Sequence, residues 1–321
     1  MGILPYSAAV DKWNAKKAFS YALSRRLAAS DDETLLKRAE TMKTCANTTS
    51  HAYCTECGTL VLDRVWLCRD RLCPVCAWRL SLHRFAAMCH VFDHLCATSE
   101  DGTIQVAMLT LTIRNVNADK LRETINAMQA GLRLMTKRRA WVRWVDGWAR
   151  STEVTYSSKQ KNMHPHIHVL LHFKPGYDKH IAQHEFTEMW QACLGIDYKP
   201  IVDIRRCYER TPTTTEFWKR TLGVALEGLK YATKPASLKA MPDPVLFEYA
   251  RQLARLRLVA YGGSIKQGLK VLGLTKHAEE SGESGTEGAM IAECPKCASA
   301  ALVNVILEWS EAGGEYFLRS M

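Results

Sequence analysis

The chain has 321 residues, 47% of them hydrophobic and 24% charged, and 43 lysines and arginines against 33 acidic residues give a net charge of +10. This composition excludes a disordered or collagen-like chain, and no run of about 18 apolar residues predicts a membrane span. The positive charge favours a polyanionic partner, nucleic acid above all. Residues 1–17 contain no apolar signal segment, so the 12 cysteines are expected in the cytoplasm, where tight spacing favours metal binding over disulfides.

The first hundred residues combine helices with a cysteine-rich segment. Apolar residues at helical spacing predict one or two helices over residues 8–45, and the cysteines follow within residues 49–100. Two C-x2-C pairs separated by fifteen residues predict a structural Zn²⁺ site, in which four thiolates bind one tetrahedral ion. The predicted ligands are Cys54, Cys57, Cys73 and Cys76, with Cys68 as a fifth candidate for the four positions.

The middle of the chain alternates between strand and helix patterns. From Gln105 a period of two predicts a strand with one polar face that includes Arg114, and residues 121–135 then place apolar side chains at helical spacing. Two more strands, over residues 151–157 and 164–173, flank a polar loop and are expected to form a hairpin. Strands separated by helices, with local antiparallel pairing, predict an α+β fold.

The strand over residues 164–173 carries the most informative side chains. On a strand, alternate residues face the same side, so four histidines share one open face: His164, His166, His168 and His172. Two imidazoles at positions i and i+2 can bind one divalent metal, and Glu153, across the predicted hairpin, can supply a carboxylate as the third ligand. Imidazole with hard oxygen suits Mg²⁺ or Mn²⁺ that also binds a phosphate oxygen.

A second reactive group lies on a helix predicted over residues 215–234. Glu227 and Tyr231 are four residues apart and therefore share a helix face, and Lys230 and Lys234 flank the tyrosine. A phenol next to a carboxylate and two lysines can act as a nucleophile with a phosphate clamp.

The remaining segments carry a further helix and a second cysteine pair. Residues 243–261 predict a helix that ends at Gly262, and an acidic segment rich in glycine and serine then reads as a linker. Cys294 and Cys297 follow, with a predicted hairpin after them. This pair is half of a metal site, and its partners are left open. The other cysteines, Cys45 among them, are expected to be core thiols.

Three segments in this order resemble the rolling-circle plasmid replication initiators of the HUH endonuclease superfamily. They are residues 109–115, 164–171 and 225–234, and the cysteine-rich residues 68–79 are similar to the segment that precedes them in these initiators. The resemblance implies the HUH endonuclease fold, an antiparallel central sheet flanked by helices with the metal-binding histidines on a middle strand. An N-terminal helical and zinc-binding region precedes this sheet.

The same resemblance implies an activity and the residues that carry it. Tyr231 would nick origin DNA, single-stranded or extruded, leaving a 5′-phosphotyrosyl intermediate and a 3′-hydroxyl primer. Glu227 would replace the second tyrosine of other initiators and assist hydrolysis at termination. His166 and His168, with Glu153, would hold Mg²⁺ or Mn²⁺. The expected phosphate contacts are Arg114, Lys230 and Lys234. Host replication proteins in the cytoplasm of a bacterial host are the expected partners, with no membrane involved.

These expectations divide the chain into four segments: an N-terminal helical region (1–48), a zinc-binding segment with its following helix (49–100), the HUH endonuclease domain (101–275), and a linker with the C-terminal C-x2-C hairpin (276–321).

Three alternative functions remain. A zinc-ribbon HUH transposase acts on single-stranded transposon ends, and many such enzymes have a second tyrosine where this chain has Glu227. A histidine-triad nucleotide hydrolase would use a histidine as nucleophile. A non-catalytic zinc regulator would bind DNA without cleaving it.

Overall fold

A computed structural model describes residues 7–100, 102, 104–175, 182–206, 235–275, 284–288 and 291–319. The chain divides into two compact units, a terminal unit (Met1–Arg79 with Ser281–Met321) and a middle unit (Leu80–Glu280). The helix predicted over residues 215–234 lies outside the described residues. Within the described part of the chain, no helix combines the length and the apolar character that crossing a membrane requires.

Nine α-helices and ten β-strands are described, numbered in chain order. The helices are α1 Ser7–Leu27, α2 Glu33–Thr44, α3 Pro74–Thr98, α4 Leu121–Met135, α5 Arg139–Trp144, α6 Gln183–Leu194, α7 Pro235–Ala240, α8 Asp243–Gln252 and α9 Gly263–Val271. The strands are β1 Thr48–Cys54, β2 Leu60–Leu67, β3 Val106–Thr112, β4 Val145–Ser157, β5 Asn162–Phe173, β6 Val202–Arg206, β7 Val259–Gly262, β8 Gly285–Gly288, β9 Leu302–Ser310 and β10 Glu315–Leu318. A short 3₁₀ helix, Ala118–Lys120, precedes α4.

The terminal unit is built on an antiparallel sheet with strand order β10-β9-β1-β2-β8. The β9–β10 hairpin was predicted, and Gly314 takes a left-handed φ of 68° in its turn. Asp32 caps the N-terminus of helix α2, because its carboxylate accepts hydrogen bonds from the N–H groups of Thr34 and Leu35 and so satisfies donors that the first turn leaves open. Strands from both ends of the chain therefore share one sheet.

The middle unit contains a second antiparallel sheet, with strand order β6-β3-β5-β4-β7. Helices α4 and α6 cover one face, where Ile167 and Leu171 of β5 pack in a buried cluster with Leu132 and Trp190. The five apolar residues of α4 that were predicted to face the core are all buried: Leu121, Ile125, Met128, Leu132 and Met135. The prediction of an α+β fold with an antiparallel sheet flanked by helices is confirmed, and β5 is the middle strand.

One predicted helix is wrong in its extent. Helix α8 ends at Gln252 rather than at Tyr261, and the last predicted turn is instead the edge strand β7, which pairs with β4. Arg255 adopts a left-handed φ of 59°, which interrupts the helical path. After β7, Gly263 has a φ of 57°, and any Cβ there would overlap the carbonyl oxygen of Asp146. In this segment, pairing of β7 with β4 therefore outweighs the helical spacing of the apolar residues.

Candidate metal centre

The candidate metal ligands lie on two paired strands in the middle of a sheet. Glu153 on β4 is directly opposite His166 on β5, and His168 is two residues further along the same strand. Strand β5 is also paired with β3 on its other edge, where Thr112 is opposite His166. Because both edges of β5 are hydrogen-bonded, the backbone holds the two imidazoles and the carboxylate in a fixed relationship.

The three side chains converge on one point. Glu153 Oε2 lies 3.3 Å from His166 Nε2 and 3.2 Å from His168 Nε2. The group is well shielded, since Glu153 is 2% and His166 7% exposed. The candidate ligand atoms all lie within 4.8 Å of one another, as a single ion requires. The structure therefore brings together the three residues predicted to bind the divalent metal.

The opposite nitrogen of each imidazole has its own oxygen partner. Nδ1 of His166 is 3.3 Å from the carbonyl oxygen of His164, and Nδ1 of His168 is 3.2 Å from the hydroxyl of Thr110. A proton on Nδ1, donated to these oxygens, leaves an Nε2 lone pair on each ring directed toward Glu153. Two lone pairs and a carboxylate oxygen repel one another unless a cation lies between them, so the donor set fits a divalent metal.

A polar network extends from His164. Its Nδ1 lies 2.7 Å from Asn115 Oδ1, and the amide of Asn115 donates to Asn162 at 3.0 Å and to Gln160 at 2.8 Å. Burial lowers the pKa of His164, and the neighbouring His166 lowers it further. Sequence reasoning missed Asn115 and Thr110 as supporting residues. For Thr110 the alternation of β3 was the available signal, because it places the hydroxyl on the polar face.

His172 does not belong to this group. Its Nδ1 lies 2.8 Å from Ser264 Oγ and 3.6 Å from Asp146 Oδ2, and burial lowers its pKa. Helices α3 and α9 cover this end of the face, where Leu170 packs with Phe92 and other buried residues. The expectation that the whole histidine face stays open is therefore wrong.

The predicted phosphate-binding residues are only partly described. Arg114 is exposed just beyond β3, two residues after Thr112, and its guanidinium stacks on the ring of Tyr198 with 3.8 Å to the ring centroid. Tyr231, Glu227, Lys230 and Lys234 lie outside the described residues. Their positions relative to the metal centre remain predictions.

The cysteine ligands require a correction. The structure does not gather Cys54, Cys57, Cys73 and Cys76 around one point but places eight of the eleven described cysteines in two groups of four. One group consists of Cys45, Cys68, Cys73 and Cys76, and the other of Cys54, Cys57, Cys294 and Cys297. Spacing along the chain could not give this grouping, because the pairing of β1 with β9 brings residues 54–57 next to a segment more than 230 residues away.

The family model for a replication protein matches residues 59–317. A "Protein rep" of Streptococcus pneumoniae serotype 2 (strain D39 / NCTC 7466) is 33% identical over 248 residues, which covers 76% of this chain and 73% of the relative. A "Protein rep" of Bacillus amyloliquefaciens is 33% identical over 257 residues and covers 74% of each chain. No solved structure matches the chain significantly.

Proposed function

The chain belongs to the replication protein family, and from this premise we propose that it is a plasmid rolling-circle initiator that nicks and rejoins origin DNA through a tyrosine. The observation that carries the proposal is the convergence of Glu153, His166 and His168 on the middle of an antiparallel sheet. A carboxylate and two neutral imidazoles suit Mg²⁺ or Mn²⁺. When bound, such an ion supplies positive charge that polarises a scissile phosphate.

The nucleophile in this proposal is Tyr231. Its phenolic oxygen, having lost its proton to solvent, bonds to the phosphorus, and the bond from phosphorus to the 3′-oxygen breaks. The released oxygen takes up a proton and becomes the 3′-hydroxyl that a polymerase extends. The 5′-phosphate stays on Tyr231 as a phosphotyrosyl ester. Because one phosphoester replaces another, most of the free energy of the bond is retained and rejoining needs no ATP.

Glu227 has a separate role at termination. As a carboxylate it accepts a proton from a water molecule, whose oxygen attacks the phosphorus of the regenerated origin junction while the bond from that phosphorus to the 3′-oxygen breaks. The released 3′-oxygen then bonds to the phosphorus of the phosphotyrosyl ester, the bond from that phosphorus to the Tyr231 oxygen breaks, and the phenol takes back a proton, so that the circle closes. Termination is then a hydrolysis, and the protein leaves instead of starting another round. Four residues separate Glu227 from Tyr231, so a helix would present both on one face.

The partners and metals follow from the same proposal. Arg114, Lys230 and Lys234 neutralise phosphates of the origin strand, so that affinity falls steeply with salt. Zinc is the structural metal of the cysteine groups, which consist only of soft thiolates. The protein works with host replication proteins in the cytoplasm of a bacterial host.

Covalent capture tests the proposal. The full chain is incubated with Mn²⁺ or Mg²⁺ and tiled, labelled single-stranded fragments of the replicon that encodes it. A denaturation-resistant protein–DNA band is expected, mapped by mass spectrometry to Tyr231. Tyr231→Phe should abolish the band, and Tyr21→Phe, which alters a tyrosine of α1 in the terminal unit, should retain it.

Three other outcomes would favour the alternatives. Phosphoamide hydrolysis that persists in Tyr231→Phe would indicate a histidine-triad hydrolase. Cleavage confined to transposon ends would indicate a transposase. DNA binding without metal-dependent cleavage, in a preparation that binds Mn²⁺, would indicate a non-catalytic regulator.

A further inference from the structure

We infer that the terminal unit holds two separate zinc ions, each closed by four cysteine thiolates. The first centre consists of Cys45, Cys68, Cys73 and Cys76, and the second of Cys54, Cys57, Cys294 and Cys297. The inference rests on the proposed structural zinc but not on the nicking chemistry. It differs from the prediction made from spacing in the number of ions, in the ligand sets and in the role of the C-terminal pair.

The sulfur–sulfur distances are those of tetrahedral metal sites. In the first centre Sγ of Cys76 lies 3.5 Å from that of Cys45 and 3.6 Å from that of Cys68. In the second centre the distance is 3.6 Å between Cys54 and Cys297. A tetrahedron with Zn–S bonds of about 2.3 Å has edges of about 3.8 Å, whereas a disulfide bond is about 2.05 Å long. Both groups match the zinc geometry.

The first centre is surrounded by groups that stabilise thiolates. The backbone N–H of Cys68 donates to Sγ of Cys45 at 3.4 Å, and the hydroxyl of Ser20 lies 3.2 Å from Sγ of Cys73. Four thiolates and one Zn²⁺ carry a net charge of −2, which needs compensation in a buried place.

A buried cation provides part of that compensation. The side chain of Lys17 is fully buried, and its ammonium group donates to the carbonyl oxygens of Lys43 at 2.7 Å and of Cys45 at 2.8 Å. A fully buried lysine is costly unless it is paired with negative charge. The burial of Lys17 is therefore a second observation, independent of the sulfur distances, and it indicates an anionic centre next to this side chain.

The second centre is made of two similar loops on adjacent strands. In one loop the N–H of Cys54 donates to the carbonyl of Thr59 at 2.9 Å, and in the other the N–H of Cys294 donates to Ser299 at 2.8 Å. Cys54, the last residue of β1, is paired with Leu302, the first residue of β9. The strand pairing therefore places the two C-x2-C loops side by side.

The backbone around both centres shows a shared feature. Of the five non-glycine residues with positive φ in the described part of the chain, three directly follow a ligand cysteine: Ala46, Arg69 and Ala298. Gly58, which follows Cys57, also has a positive φ, of 68°. Left-handed residues are unfavourable without a glycine and persist where the surrounding structure requires them. Here they curve the chain around the sulfur atoms.

The second centre connects distant parts of the sequence. It ties residues 54–57 to residues 294–297, so the C-terminal hairpin is a structural part of the terminal unit. Because the unfolded chain has no preformed site, the free energy of zinc binding contributes to folding. Removing zinc should therefore unfold the terminal unit, while the middle unit keeps its own two hydrophobic clusters.

Metal counting tests the inference on the full chain. Zinc and iron are measured by mass spectrometry of the purified protein after brief dialysis against EDTA. We expect two zinc ions per chain, one in Cys76→Ser, one in Cys297→Ser and none in the double variant. Cys193→Ser, a buried cysteine of α6, is the matched control and should retain two.

Alkylation of Cys297 in the wild-type protein tests the second centre without any variant, and it therefore still applies if a cysteine variant fails to fold. Cys297 is exposed, so in the native wild-type protein it should resist iodoacetamide only while it binds metal. It should react after strong chelation. Two results would overturn the second centre. One is a single zinc per chain that is lost equally from both single variants, and the other is rapid alkylation of Cys297 in the zinc-loaded protein. Absence of zinc from active protein, or iron in its place, would overturn the zinc assignment, while covalent capture reports on the nicking proposal separately.

Discussion

Glu153 and His166 face each other across the β4–β5 pair, and the carboxylate oxygen that lies 3.3 Å from His166 Nε2 also lies 3.2 Å from His168 Nε2. One carboxylate oxygen therefore lies close to both imidazoles. The register of the hairpin fixes this relationship, because a slip by one residue would turn Glu153 to the opposite face of the sheet. The metal centre is thus a property of strand pairing as much as of the three side chains.

Replacing Glu153 by glutamine keeps the shape of the side chain and removes its charge. We expect the affinity for Mn²⁺, measured by titration calorimetry on the full chain, to fall about 100-fold or more, because the ligand charge governs the affinity for hard cations. Without metal, the unfolding midpoint should not fall, since a buried anion has been removed. Glu123→Gln, at an exposed residue of α4, is the control. Unchanged Mn²⁺ affinity in Glu153→Gln would exclude Glu153 as a ligand.

Thr110 is expected to act by positioning His168. Thr110→Val has nearly the same volume but lacks the hydroxyl that lies 3.2 Å from His168 Nδ1. Metal affinity should fall about 10-fold, the lower end of the effect of such outer groups. Thr110→Ser restores the hydroxyl and should recover most of the affinity. If valine and serine have equal effects, the loss reflects packing and the positioning role is refuted.

Glu227 should affect termination and not nicking. In Glu227→Ala the initial covalent capture by Tyr231 should persist, because the tyrosine remains. Release of finished circles should fall, with multimeric single strands accumulating, because the general base for water is missing. Gel analysis of replication products, with wild type and Tyr231→Phe in parallel, gives the answer. A product distribution identical to that of wild type would contradict the role.

His51 makes the terminal unit sensitive to acid. It is 2% exposed, and its pKa is lowered to about 4 by burial and by repulsion from Arg79, with Asp63 opposing. Because the folded-state pKa lies below the unfolded value of about 6.5, the neutral form of His51 contributes to the free energy of unfolding. This contribution is complete above about pH 6.5 and is lost as the pH falls toward 4. The full contribution is about 3 kcal/mol.

Denaturation at several pH values measures this contribution. The difference in free energy of unfolding between wild type and His51→Phe should change in favour of the variant as the pH falls from 7 to 5. Zinc release at low pH is common to both proteins and cancels in the difference. A difference independent of pH would show that His51 is not buried in its neutral form.

Sequence patterns predicted the elements around the metal centre because those elements have simple periods. Strand β3, helix α4 and the β4–β5 hairpin each bury one face, so alternation by two or by three and four residues is visible in the sequence. The grouping of Glu153 with His166 followed from the hairpin alone. Strand β7 was missed, because a short edge strand is selected by its partner β4 and not by its own residues.

Closely spaced thiols, a row of histidines on one strand and a replication-protein character are all visible in the amino-acid sequence. These features depend on residue type and local spacing. Three other features depend on how the chain folds: which cysteines share a centre, that Thr110 lies next to His168, and that His172 lies next to Ser264. Cys45 and Cys294 are far from their partners along the chain, and the pairing of strands from opposite ends of a sequence leaves no periodic signal in either one.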